Sequence, residues 1–424
     1  MRALRGRSVF VWIALCMAMA ANAVVPITLP IVPGESVVTC FSGLQTPLVS
    51  PPYAAEPNGP VVGIYDTRLP VIPTNPVPVY DQNWQPPNFE NLAGPASDTW
   101  TAKNLGQVFG IALDNATNPN IYVSATTVYG ASFAFGPGGP GAIYRIDGTT
   151  GTICILAQLP NGAATGAPAL GQLAYDANSN NLYCSNFEDG LIYIISLNPT
   201  NGTSSPCGTQ QWTTWNHGIQ GRTDAGMTTI ADAGTMGTFT ALGRRVWGLC
   251  IEGNRLYYSV WWEDSGRNNG TEDNEIWSVQ IDGAGQPVTG TAIREFQLPN
   301  LTPGSGNSNP VADIEFTKTG AMLVAERTMP ADTNYVDQGG NSAHASRVLK
   351  YTGTSGSFSM LPDNTYRTGK IFTSTNAAGG ISSDCDENIW AMVDAIHYGG
   401  TTGDTDVVYG LQNTLAAGNA SDPA

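Results

Sequence analysis

Charge is scarce in this 424-residue sequence: Asp, Glu, Lys and Arg together make up 12%, against about a quarter in an ordinary globular chain. What charge there is leans acidic, 34 carboxylates against 18 cationic side chains, for a net charge of −16. A surface of that sign repels phosphate backbones and anionic lipid, which excludes nucleic acid as a partner. No stretch holds a 3.6-residue apolar period free of Gly, Pro and β-branched runs, so amphipathic helices are not expected to build the core. Beyond the N-terminus no apolar run approaches the roughly 20 residues that span a bilayer, so the mature chain is not expected to insert in a membrane. Histidine is nearly absent: His217, His344 and His397 stand far apart, at no zinc-ligand spacing. No Walker loop, GxSxG elbow, HExxH or CxxC is present. The run Gly136-Pro137-Gly138-Gly139-Pro140-Gly141 has the form GxGxxG but joins two strand-like runs instead of opening a helix, so it reads as a loop.

Arg2, Arg5 and Arg7 precede an apolar run from Val9 to Ala20 and a small-residue stretch, Ala21-Asn22-Ala23. This is the pattern of a secretory signal, residues 1–23, and its removal would take the net charge to −19. The mature chain is therefore expected to be secreted, extracellular or periplasmic. Cleavage also removes Cys16 and leaves Cys40, Cys154, Cys184, Cys207, Cys250 and Cys385, an even set in a compartment that permits disulfides. The connectivity stays open, and Cys184 and Cys250, inside apolar runs, suit buried free thiols as well as pairing.

Residues 24–100 are crowded with proline and read as an extended N-terminal segment, with Val61-Val62-Gly63-Ile64-Tyr65-Asp66 as a strand able to close the last unit of a downstream repeat. From about residue 101 to 412 that repeat runs through five units: an apolar strand, an Asp/Asn/Gly turn, a strand with an aromatic near its start, a variable loop, and another aromatic-rich strand. The second strands read Ile121-Tyr122-Val123-Ser124, Leu182-Tyr183-Cys184-Ser185, Leu256-Tyr257-Tyr258-Ser259, Met322-Leu323-Val324-Ala325 and Ile389-Trp390-Ala391-Met392. Strands apolar on both alternating faces must be covered on both sides, as sheets packed side by side around an axis are. The predicted fold is all-β, a β-propeller of about six blades (range five to seven) of four-stranded antiparallel sheets. Residues 198–243 are expected to supply an additional irregular blade, and 413–424 a flexible tail.

The pairing of Ile121-Tyr122-Val123-Ser124 with Ile143-Tyr144-Arg145-Ile146-Asp147-Gly148-Thr149-Thr150-Gly151 resembles extracellular propellers of the NHL and YVTN type, over roughly residues 104–411. That resemblance implies a fold and no particular activity.

Rigid propellers carry function on their loops, here 125–141, 198–243, 261–274 and 327–346. The ligand-binding candidates are Trp212, Trp215 and His217 in an aromatic-rich stretch read as loop, and Trp262 of the Trp261-Trp262 pair, since aromatic rings stack on sugars and anchor peptides. Asn186, Glu188, Asp313, Glu315, Glu326 and Asp394 lie at or near strand ends and offer the oxygen donors that Ca2+ takes. The turns Asp114–Asn118 and Asp176–Asn180 imitate the start of an EF-hand loop but lack its closing Glu, and are expected to be Asx turns. The leading expectation is a monomeric binding module for a protein or carbohydrate, with no cofactor. The alternatives are a calcium-dependent lactonase or hydrolase with its metal in the central channel, and a structural part of a surface or adhesion protein.

Overall fold

The structure is a computed structural model that describes residues 29–43, 55–66, 100–128, 135–162, 169–198, 207–208, 211–217, 240, 242–262, 273–299, 307–330, 346–369, 376–397 and 407–418. Residues 1–23, expected to be a secretory signal, with their Cys16, and most of the Pro-rich segment lie outside these residues. Each unit of the repeat folds as one antiparallel sheet whose strands follow chain order from the axis outward. Sheet one holds β3 (Val108–Leu113), β4 (Ile121–Ala125), β5 (Ala142–Ile146) and β6 (Ile153–Gln158), preceded by a single helical turn, α1 (Ala102–Leu105). Sheet two holds β7 (Leu170–Asp176), β8 (Asn181–Asn186), β9 (Leu191–Ser196) and β10 (Trp212–Asn216), and sheet three β11 (Val246–Glu252), β12 (Arg255–Val260), β13 (Glu275–Gln280) and β14 (Ile293–Gln297). Sheet four is β16 (Val311–Phe316), β17 (Met322–Glu326), β19 (Val348–Thr352) and β20 (Ser359–Met360), with a short side pair of β15 (Asn307–Ser308) and β18 (Met329–Pro330). Sheet five has three strands: β21 (Ala377–Ser383), β22 (Ile389–His397) and β23 (Val407–Thr414).

The innermost strands β3, β7, β11, β16 and β21 pack each against the next, so the five sheets are blades of a β-propeller. A sixth, two-stranded element sits at the seam between the last blade and the first: β1 (Glu35–Thr39) paired with β2 (Val62–Asp66). Val61, Val62 and Ile64 enter the core of blade one beside Trp100, Val108 and Ile121, while Val38 packs on Trp390 and Leu411 of blade five. The second strands explain the ring, since all five residues of β4 and all six of β8 are buried, leaving neither face to water.

A repeated polar device joins the blades. The pairing of first and second strands carries a register shift in every blade, beginning at Val108, Leu170, Val246, Val311 and Ala377. Beside it sits the serine of the second strand. Ser124 Oγ donates to Gly171 O, Ser185 Oγ to Trp247 O and Ser259 Oγ to Val311 O, each at 2.7 Å and each on the inner strand of the next blade. Ser185 and Ser259 also accept from their own inner strands, at Gln172 N and Gly248 N. Blade four has Ala325 at this position, and Arg327 takes over by donating to Ala378 O at 2.6 Å. Thr39 of the seam hairpin does the same for Phe109 O. The crossing is tight enough that a Cβ at Gly110 would meet Gly171 O and Ser124 Oγ.

At the axis, Gln172 Nε2 donates to Asp313 Oδ1 at 2.5 Å. Gln172 Oε1 accepts from Ile111 N and Leu173 N, and Asp313 accepts from Ile314 N and Ile381 N. One side-chain pair thus ties the inner strands of blades one, two, four and five. Above it, Phe109 and Trp247 occupy equivalent positions on their strands and fill the axis, because Gly171, Ala312 and Ala378 at the same level are small. The ring centroids of Phe109, Phe187 and Trp261 lie 5.4, 5.0 and 6.0 Å from that of Trp247.

The expectation of an extra blade needs correction. Residues 198–243 build no blade of their own within the described residues. Trp212–Asn216 is the fourth strand of blade two, paired with β9, because alternation of its side chains fits an outer strand. Asp114, Asp176 and Asp384 do form Asx turns, each accepting from the backbone N–H two residues on. Cys154 on β6 is disulfide-bonded to Cys207, whereas Cys184 and Cys250 are free, as are Cys40 and Cys385.

Candidate functional site

Antiparallel order puts alternate connections on opposite ends of the ring. Connections between first and second strands are short Asx or Gly turns, and they share their end with those between third and fourth strands. The opposite end carries the strand ends at Ala125, Asn216, Val260 and Glu326, from which the chain enters its longer connections. The connection from β9 to β10 differs, since it leaves at Ser196 and re-enters at Trp212 on the short-turn end.

The aromatic candidates meet at the rim of the long-connection face, between blades two and three. His217 follows β10, with its Nδ1 2.8 Å from Tyr258 Oη and its ring 4.8 Å from Trp277 and 5.2 Å from Tyr258. Trp215 packs 5.3 Å from Tyr258 and 6.1 Å from His217. Trp277 Nε1 and Trp262 Nε1 both donate to Glu275 Oε2, at 2.8 and 3.1 Å, and Arg294 bonds the other oxygen at 2.9 Å. Trp215, His217 and Trp277 are each partly exposed, so the cluster is a shallow aromatic groove floored by Tyr258. Burial pushes the His217 imidazole down to about 4, against the pull of Glu275, and it is neutral at physiological pH.

Trp215, His217 and Trp262 therefore come together, through partners that the sequence pattern places on strands and outside any candidate site: Tyr258, Trp277 and Glu275. Trp212 does not join them. It lies three residues from Trp215 on one strand, turns to the other face, and packs on Tyr193 toward blade one, with centroids 6.3 Å apart. Trp262 is buried against Gly243 and supports the groove from within. The period-two alternation of Trp212-Thr213-Thr214-Trp215 is the signal that separates the two tryptophans, and reading the stretch as loop conceals it.

The oxygen donors are dispersed, and Asn186, Glu188, Asp313 and Glu326 are engaged by protein. Asn186 Oδ1 accepts from Asn161 and from Glu188 N, and both Glu188 oxygens accept from Gly162 N at 2.9 and 2.8 Å. Glu326 forms a buried pair with Arg347 at 2.6 Å. Asp313 belongs to the axial pair with Gln172, and Glu315 lies two residues on along β16. Burial raises Asp313 to about 7 and Glu315 to about 8, the latter aided by repulsion from Asp313 and Glu252. Asp394 is in β22, and its side chain lies outside the described residues. Among the described residues no group of three or more His, Cys, Asp or Glu is placed to hold a metal ion, and no helix is long and apolar enough to cross a membrane.

No protein-family model and no curated protein matches the chain. Solved structures similar to it include the nidogen/laminin complex, at 10% identity and a TM-score of 0.36 over 68% of this chain and 72% of that one. A periplasmic gluconolactonase of Pseudomonas aeruginosa is 11% identical, with a TM-score of 0.37 over 73% and 74% of the two chains. A putative 6-phosphogluconolactonase from Bacteroides uniformis is also 11% identical, with a TM-score of 0.37 over 71% of each. Likeness at this level assigns no chemistry, which has to be argued from the residues themselves.

Proposed function

We propose that the chain is an exported propeller that binds a protein or carbohydrate on its long-connection face, with the Trp215, His217 and Trp277 groove as the anchor. The observation that carries this reading is the convergence of three partly exposed rings from two blades where the connections 217–245 and 261–274 begin. Large, rigid aromatic side chains bury much area at little conformational cost, which is why Trp and Tyr dominate binding hot spots. The groove is built for contact more than for chemistry. Its histidine is held neutral, its hydrogen-bond partner is a phenol, and its carboxylate is neutralised by Arg294. Export is supported by the Arg-flanked apolar N-terminus and by the Cys154–Cys207 disulfide, which an oxidising compartment sustains.

The test is binding of the purified mature chain to glycan and extracellular-protein arrays, followed by affinity measurement with Trp215→Ala and Trp277→Ala. Loss of a central tryptophan is expected to weaken binding by about 2 kcal/mol or more, roughly 30-fold, with unchanged circular dichroism. A ligand whose affinity ignores both substitutions, or arrays without any ligand, would remove the reading.

A further inference from the structure

The Cys154–Cys207 disulfide has a cation beside one of its two sulfurs. Cys154 lies on β6, the outermost strand of blade one, and both cysteines are partly exposed. Arg145 stands directly opposite Cys154 in the pairing of β5 with β6. Its Nη2 donates to Asn120 Oδ1 at 2.7 Å and to Asp147 Oδ2 at 3.0 Å, while its Nη1 points at Cys207 Sγ, 4.0 Å away. Nε has no hydrogen-bond partner. Asp147 therefore takes up one edge of the guanidinium, and the sulfur of Cys207 meets the other.

That placement distinguishes the two sulfurs chemically. A thiolate breaks a disulfide by attacking one sulfur and expelling the other, and the sulfur whose thiolate is better stabilised leaves faster. A neighbouring arginine stabilises a thiolate, and the contact here is with Cys207. The bond also has a mechanical role. Cys207 precedes β10 in the connection from β9, and beside it Gly208 N donates to Ile155 O on β6 at 3.2 Å. The chain entering β10 is thus fastened to blade one. β10 is the edge strand of blade two and pairs only with β9, so the fastening holds the start of the least supported strand of that sheet.

We propose that Cys154–Cys207 is an exchange site for low-molecular-weight thiols, with Cys154 the sulfur attacked, Cys207 the sulfur expelled and Arg145 the positioning residue that receives it. The incoming thiolate forms a bond to Cys154 Sγ, the Cys154–Cys207 bond breaks, and its electron pair leaves on Cys207 as a thiolate beside Arg145. Attack by that thiolate on the mixed disulfide restores the original bond and returns the small thiol. A second small thiol instead carries the first away as its own disulfide and leaves Cys154 reduced. Opening the bond frees the entry to β10. The exchange does not depend on what the rim groove binds.

The probe is reduced glutathione, added to the folded mature chain carrying Cys385→Ser so that no exposed free cysteine competes. Samples are quenched in acid, alkylated and mapped by peptide mass spectrometry. Glutathione is expected on Cys154 and the alkyl group on Cys207, at a rate that urea below the unfolding transition leaves unchanged. Arg145→Met should slow the exchange about tenfold, and Arg145→Lys should restore most of the rate. In the reduced protein, amide hydrogen exchange should quicken in β10 and stay as it was in β8 and β12. Glutathione found on Cys207 in place of Cys154 would overturn the proposal. So would exchange that proceeds only as fast as global unfolding, or a folded Arg145→Met variant that reacts like its parent. Should Arg145→Met not fold, the site of attachment and the urea dependence in the parent chain decide the matter.

Discussion

Raising the pH from 6.5 to 8 should destabilise this protein, against the usual behaviour of a chain whose carboxylates are paired. Asp313 and Glu315 are raised by burial to about 7 and about 8, so the folded state holds protons that the unfolded chain has already released. Stability falls with pH wherever the folded state binds more protons, at up to about 1.4 kcal/mol per pH unit per proton. Across this window Asp313 contributes a loss of about 1 kcal/mol and Glu315 about twice that. His217 acts with the opposite sign. Its folded value is depressed to about 4, so it loses stability as pH falls below its ordinary value near 6.5, and it offsets under half a kcal/mol here. The net expectation is about 2 kcal/mol less stability at pH 8 than at pH 6.5. Urea unfolding followed by tryptophan fluorescence at half-unit pH steps measures it. The window stops at pH 8 because Cys40, Cys184 and Cys250, all raised by burial, add to the loss above it. Glu315→Gln should flatten the profile by more than half. A wild-type profile that is flat or rises with pH would refute the reasoning, as would one that Glu315→Gln leaves unchanged.

Other outcomes rest on single contacts. Ser185→Ala removes a donor to Trp247 O and an acceptor for Gln172 N, both buried, and should cost about 2 to 4 kcal/mol by chemical denaturation. Glu326→Gln leaves Arg347 without its counter-charge and should cost about 3 to 5 kcal/mol, whereas a double replacement by apolar residues of similar volume should recover most of it. Reducing the Cys154–Cys207 bond, which spans 53 residues of sequence, should lower stability by about 2 to 4 kcal/mol. Under native conditions a thiol reagent should modify exposed Cys385 at once and spare buried Cys184 until the protein unfolds.

Much of this architecture was legible in the residues. Strands such as Leu256-Tyr257-Tyr258-Ser259-Val260 are apolar on both faces, and only sheets stacked side by side around an axis cover both, so the blades follow from the pattern alone. The Asx turns at Asp114 and Asp176 were likewise local, decided by a carboxylate and the amides two or three residues beyond it. What needed tertiary structure was anything joining residues distant in sequence. Trp212 and Trp215 look like a pair until β10 pairs with β9 and sends their rings to opposite sides, one of them to meet Trp277 from another blade. Gln172 and Asp313 are 141 residues apart, and nothing local in either predicts that their strands face each other across the axis. Asp313, Glu188 and Glu326 look like metal donors in a linear chain because acidity is local, whereas the partner that uses each carboxylate arrives only when the ring closes.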